Sequence, residues 1–187
     1  MARSGHVKKM ARRGDAQTVA APAPLSDAGS LRPRVDHPLR NGDTATVSAV
    51  FARLGSTSRQ RRFCGAKPRL SDGDLAVLAR VDERHHVLVA YVEGGSVPAG
   101  MARLVRDGAT GEIAFEVADE LQGQGIGSVL ARELAADARA AGITRLVATV
   151  CGDNRPVVSL LGRLAQSIDV RWRDGERELS ASHIRRV

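Results

Sequence analysis

Two rhythms of apolar residues run through this chain, and each predicts a different kind of element. Over residues 125–141, Ile126, Leu130, Leu134 and Ala138 form one stripe while Arg132, Glu133 and Asp137 fall away from it. That is the 3.6-residue period of an amphipathic helix, and Gly142 follows as its natural stop. Val47, Val50, Phe51 and Leu54 recur at spacings of three and four after Asn41-Gly42-Asp43 and predict an earlier helix. Thr57–Phe63 and Asp72–Arg80 read as two shorter helices, the second capped by Ser71. Strand-like runs lie at 34–39, 86–93, 96–106 and 111–118, the last three joined by turns at Glu93-Gly94-Gly95 and Asp107-Gly108. Such short connections predict antiparallel neighbours. The run "RLVATVC" (145–151) closes a strand–helix–strand unit, and a crossover of that length implies a parallel pair. A helix over 154–165 and a hairpin turning at Asp174-Gly175 complete the chain, with Ile168, Val170 and Trp172 expected to alternate inward. The order β, helices, βββ, αβα, ββ predicts an α+β (mixed α/β) fold around a mostly antiparallel sheet, with helices on both faces.

Residues 1–32 show neither rhythm. They are rich in Ala, Pro, Gly, Ser and basic groups, a composition that buries too little apolar surface to offset ordering, so a disordered basic tail is expected there and one domain over 33–187. Eight Lys or Arg against three Asp in residues 1–40 leave only +2 of the net +7 for the rest of the chain. The basic character therefore belongs to the tail and reads as a solvated segment; with aromatics at 3%, base-stacking surfaces are scarce and nucleic acid is not the expected partner. Cys64 and Cys151 lie far apart, neither with a second Cys nearby nor with metal-ligand spacing, which points to a reducing cytoplasm and no metal site. No 18-residue apolar run and no apolar leader segment occur, so membrane insertion and export are not expected and a cytoplasmic location is.

The candidate chemistry centres on "LQGQGIGSVL". Gly123, Gly125 and Gly127 stand at alternate positions where a strand has ended and a helix begins. The first-turn amides of a helix lack intrahelical partners and sit at the positive end of its dipole, and glycine lets an anion approach them. A nucleoside-triphosphate P-loop would need Gly-Lys-Ser/Thr, which is absent. A dinucleotide fingerprint needs Gly three residues after the second glycine, where Ser128 stands, and needs its βαβ unit early in the chain.

A third pattern is met in full. Gln122-Gly123-Gln124-Gly125-Ile126-Gly127 fits Gln/Arg-x-x-Gly-x-Gly/Ala, and from about residue 34 to 165 the chain resembles the GNAT superfamily of N-acetyltransferases. The segments "RLGSTSRQRRFCG" and "GEIAFEVAD" are similar to the acetyltransferase domain of bacterial protein-lysine acetyltransferases. This resemblance implies a GNAT fold, with the acetyl-CoA pantetheine arm in a wedge between strands 111–118 and 145–151 and the pyrophosphate at the amides of Gln122 to Ser128. It implies a backbone N–H near Val117 facing the thioester carbonyl, and an amine acceptor, a protein lysine slightly ahead of a small metabolite or antibiotic amine. Glu112 occupies the place of a general base and Glu116 shares its strand face, so the two together would attract a cationic amine. Asn154 matches a cofactor-contacting Asn, or else Asp153 or Asn154 merely caps the helix whose first turn contains Pro156. Arg59, Arg61 and Arg62 border the substrate cleft of the family, or else form a solvated basic face. Many members carry a Tyr where this chain has Leu160 and Leu161, which leaves the thiolate's proton donor unassigned. The competing reading is a catalytically inactive module that binds acyl-CoA and regulates a partner. The oligomeric state is open, a homodimer included.

Overall fold

The computed structural model describes residues 32–185 except 93, 153, 174 and 175, so all of the expected tail but Arg32 lies outside the described residues. Within them the elements run β1 (Pro33–Pro38), α1 (Thr44–Ala52), α2 (Ser56–Phe63), α3 (Asp72–Leu78), β2 (His85–Val92), β3 (Pro98–Asp107), β4 (Thr110–Val117), a 3-10 turn (Asp119–Leu121), α4 (Ile126–Ala140), β5 (Arg145–Val150), α5 (Arg155–Leu164), β6 (Ala165–Arg173) and β7 (Glu176–Ile184). The strands form one sheet in the order β1-β2-β3-β4-β5-β7-β6. Every neighbouring pair is antiparallel except β4 and β5, which are parallel.

Helix boundaries follow local chemistry. Asp43 starts α1 by accepting from the Thr46 amide at 3.0 Å. At α3, Ser71 and Asp74 make a reciprocal capping box, each side chain accepting from the other residue's backbone N–H. The α4 stripe meets the sheet as its period requires: Ile126, Leu130, Leu134 and Ala138 are buried, and Gly142 follows with a left-handed φ of 78°.

Strand alternation divides the interior in two. Leu88, Leu104, Ile113 and Leu146 face α4 and α5, while Val87, Val89 and Met101 face α1 and α3. The hairpin departs from expectation. β7 inserts beside β5 and buries Leu179 and Ala181, whereas β6 is left at the sheet edge. Ile168 packs against the core, but Val170 and Trp172, farther along the edge strand, are 54% and 73% exposed. A second departure is covalent: Cys64, just after α2, and Cys151, just after β5, are joined in a disulfide across 87 residues of chain, with Cα atoms 5.3 Å apart.

Candidate active site

The parallel pair is short. Only Thr110–Glu112 of β4 register with Arg145–Val147 of β5, and from Ile113 onward the two strands diverge. The gap they leave becomes a cavity of about 490 Å³. Ile113, Phe115 and Val117 of β4 form one wall, and Ala148 and Thr149 of β5 with Asn154, Val157 and Leu160 form the other. The Ala118 amide donates to Ala99 on β3, so by strand alternation the amides of Val117 and Phe115 turn the other way, into the gap. A β-strand with unpaired inward donors is a ready partner for an extended, amide-bearing arm.

The wide end of the cavity is closed by the start of α4. Gly123 and Gly125 adopt φ of 78° and 84°, the left-handed region that glycine enters without strain, and this turn aims the first amides of the helix at the cavity. Among the described residues no side chain caps α4, and its first turn holds no acidic group. Gly125, Ile126, Gly127 and Ser128 all line the cavity, so the positive end of the helix dipole faces an open space lined by backbone. Arg163 of α5 reaches Ser128 Oγ at 3.3 Å and adds a full positive charge to the same end. Sequence reasoning missed Arg163, which the helical fold of α5 brings 35 residues back to the loop.

Gln122 lines the cavity, as its motif position leads one to expect, and its side chain has a second part. Its Nε2 donates to Ser58 Oγ at 3.2 Å, to the Val117 carbonyl at 3.1 Å and to Asp119 Oδ1 at 3.1 Å, so it braces the loop against α2 and the end of β4. Gln124 is exposed, donates to the Glu120 carbonyl and does not line the cavity. Asn154 lines the cavity and makes no side-chain cap bond to α5, which favours the cavity-facing half of its two expected parts.

The two candidate carboxylates are separated by environment. Glu116 is 7% exposed, lines the cavity and receives Arg62 Nε at 2.6 Å. Arg103, anchored by the Leu78 and Val77 carbonyls at 2.7 Å, is close enough to feel both charges, and burial lowers its guanidinium pKa below the usual value. Glu112 is exposed and does not itself line the cavity. It is the last β4 residue in register with β5, so it sits at the vertex of the gap, next to the lining residue Ile113 and on the same strand face as the lining residue Ala114. Leu160, at the place where the resemblance leads one to expect a Tyr, lines the cavity, and Leu161 is fully buried.

The side of the cavity away from α5 is walled by α2 through Ser58, Arg61 and Arg62. The three arginines expected on this helix diverge. Arg59 packs over the Phe51 ring at 4.2 Å, Arg62 pairs with Glu116, and Arg61 is exposed at the cavity rim.

No helix among the described residues is long and apolar enough to cross a membrane. Acetyltransferase Pat of Mycolicibacterium smegmatis is 32% identical over 131 residues, which make up 68% of this chain and 39% of that protein, so the chain spans well under half of that relative's length. The crystal structure of the GNAT domain of S. lividans PAT superposes with a TM-score of 0.71 at 26% identity, over 87% of this chain and 99% of that domain. yncA from Salmonella typhimurium, solved with its cofactor acetyl-CoA, shares the fold at a TM-score of 0.57 and 20% identity, over 82% of this chain and 94% of that one. The family model of the acetyltransferase (GNAT) family matches residues 56–165. With more than half of its length inside that match and a sheet split at the parallel pair, the chain belongs to the acetyltransferase (GNAT) family.

Proposed function

We propose that this protein transfers an acetyl or short acyl group from acetyl-CoA to a primary amine, with a protein lysine as the favoured acceptor. The observation that carries the reading is the gap between β4 and β5: inward-facing strand amides on one wall, an uncapped glycine-lined helix start at its wide end and a carboxylate at its vertex. When bound, acetyl-CoA supplies an activated thioester carbonyl.

The chain's own groups divide the work. Of the amides from Gln122 to Ser128, that of Gln122 is taken by the Asp119 carbonyl, and those of Gly123 and of Gly125 to Ser128, which line the cavity, hold the diphosphate; Asn154 and Arg163 border it, and the inward amides of β4, Val117 among them, pair with the extended arm or with a developing oxyanion. An amine of pKa about 10.4 must lose a proton before it can attack. Glu112 takes it on this reading, which its position at the vertex and its exposure to solvent support, since an incoming ammonium can reach it. Glu116, held by Arg62 at 2.6 Å, is suited to fixing α2 over the cavity and shaping the acceptor approach. Leu160 offers no proton to the departing thiolate, and a thiol of pKa about 8.5 leaves without one at modest cost. The similarity to a protein acetyltransferase supports lysine as the acceptor.

Calorimetry with acetyl-CoA, followed by a panel of lysine peptides and small amines read by product mass, tests the proposal. Glu112→Gln is expected to lower kcat by about 10²–10³-fold while leaving acetyl-CoA affinity within about two-fold. Leu160 at the usual Tyr position is the observation that favours a binding-only module. That second reading wins if acetyl-CoA binds and no amine is acylated.

A further inference from the structure

The α2 wall rests on little apolar packing. None of its eight residues is buried, and a helix of that length is not stable alone. On the β4 side its fastenings are polar: the Gly55 amide donates to Asp119 Oδ2 at 3.1 Å, Ser58 accepts from Gln122, and Arg62 pairs with Glu116. At its other end, Cys64 takes a left-handed φ of 53° and turns the chain toward Cys151 at the end of β5. β4 and β5 are the two strands that diverge to make the cavity. The N-terminal end of α2 is therefore fastened to the turn that follows β4, and its C-terminal end is held both to β4, by Arg62, and to the end of β5, by Cys64, so the helix end lies between the two diverging strands.

We propose that Cys64 and Cys151 are a redox site whose disulfide straps α2 across the cleft, so that thiol–disulfide exchange controls the order of the acceptor-side wall. Cys64 is exposed and Cys151 half-buried, which leaves the bond open to attack. Reduction consumes two equivalents of a low-molecular-weight thiol. The first thiolate attacks one sulfur and gives a mixed disulfide, the second releases it, and two protein thiols and one small disulfide result, with two electrons transferred. A low-molecular-weight disulfide runs the sequence backward. Oxidised protein keeps Ser58, Arg61 and Arg62 in place over the cavity; reduced protein holds α2 by the polar fastenings and by Phe63 and Arg59 against Phe51, and the wall opens on the timescale of local unfolding. The function assigned to this wall rests on the acyltransferase reading, but the strap is measured on the protein without substrate and stands or falls separately.

The segment "STSRQRRF" supplies its own reporter, because trypsin cuts after Arg59, Arg61 or Arg62 only when α2 opens. In the full-length protein, cleavage there is expected to be at least about ten-fold faster in dithiothreitol than after treatment with a small disulfide. Cys64→Ser and Cys151→Ser are expected to match the reduced rate in both buffers, and differential alkylation of the wild-type protein should find the two cysteines joined after oxidation. In the acylation assay, the same reduction should raise the KM for the amine more than it changes kcat. Equal cleavage rates in the two buffers would overturn the proposal, as would two free thiols after oxidation. So would one zinc ion per chain, because the Cys64 and Cys151 sulfurs and a Glu176 carboxylate oxygen lie within 4.8 Å of one another and would then be a metal site instead.

Discussion

On the α4 side of the sheet, Leu130 and Leu134 reach the core with no more than 1% exposure, and Ile126, Leu104, Leu146 and Leu161 interlock with them. On the opposite side, α1 and α3 cover a smaller cluster around Val47, Val50 and Met101, and the neighbouring α2 adds to it only the partly buried Phe63. Apolar packing is non-directional and resists displacement from every side, while an ion pair or a disulfide acts along one line and is released by one chemical change. The α4 side carries the glycine loop, and on the proposed reading its amides are in position before the diphosphate arrives, so that rigidity there serves binding. The α2 side walls the cavity through Ser58, Arg61 and Arg62, on the proposed reading the side by which acceptors enter, and directional fastenings allow it to move.

This contrast can be broken most severely from the packed side. Leu130→Ala removes a fully buried side chain and is expected to cost about 3 kcal/mol, lowering the melting temperature by about 8 °C, whereas Val77→Ala on α3, already 62% exposed, should change stability by less than about 0.5 kcal/mol. Thermal melts of the two variants decide it: equal losses would mean that the two sides are held in the same way.

A smaller effect is expected where α2 meets the sheet. Arg62→Met leaves Glu116, whose side chain is 6% exposed, without its closest cation and should cost about 2 kcal/mol; the nearby Arg103 keeps the loss below that of a fully orphaned charge. Adding Glu116→Gln to Arg62→Met should restore more than half of the loss, since the buried charge goes with its need for a partner. Urea titration of the four proteins gives the coupling. If Arg62→Met costs nothing by itself, the pair does not fasten α2.

What could be read in the sequence divides along the same line. The α4 stripe, the glycine loop and the three antiparallel strands were legible because each is a local pattern: a period, a turn residue, a cap. The α2 side is built from partners far apart in sequence, Arg62 with Glu116 over 54 residues and Cys64 with Cys151 over 87, and no local spacing announces either. Trp172 failed for a related reason. Alternation shows that Ile168, Val170 and Trp172 share a face, but not that the strand carrying them lies at the sheet edge, where Ile168 packs against the core and Val170 and Trp172 are left exposed. At the site itself, the resemblance marked both Glu112 and Glu116, and only the strand register distinguishes the one at the open vertex from the one held by Arg62.

The mildest test concerns the acid limit of the polar side. Asp74 accepts hydrogen bonds from Lys67 Nζ and from the Ser71 hydroxyl and amide, and these hold its carboxyl well below the ordinary value of 3.8. A carboxyl with a depressed folded-state pKa contributes stability that is fully present above the unfolded value and is lost as pH falls through the folded one. The unfolded chain then binds more protons than the folded one at pH just below 4, so stability declines as acid is added in that window. Asp74→Asn removes the titrating group, and its stability, lower at neutral pH, should fall less steeply than that of the wild-type protein between pH 5 and 3. Urea midpoints at half-unit steps of pH measure the two slopes. Parallel slopes would show that the capping box and its lysine leave the acid limit to Asp43, Asp82 and Glu120, whose carboxyls are likewise held low by their own hydrogen bonds.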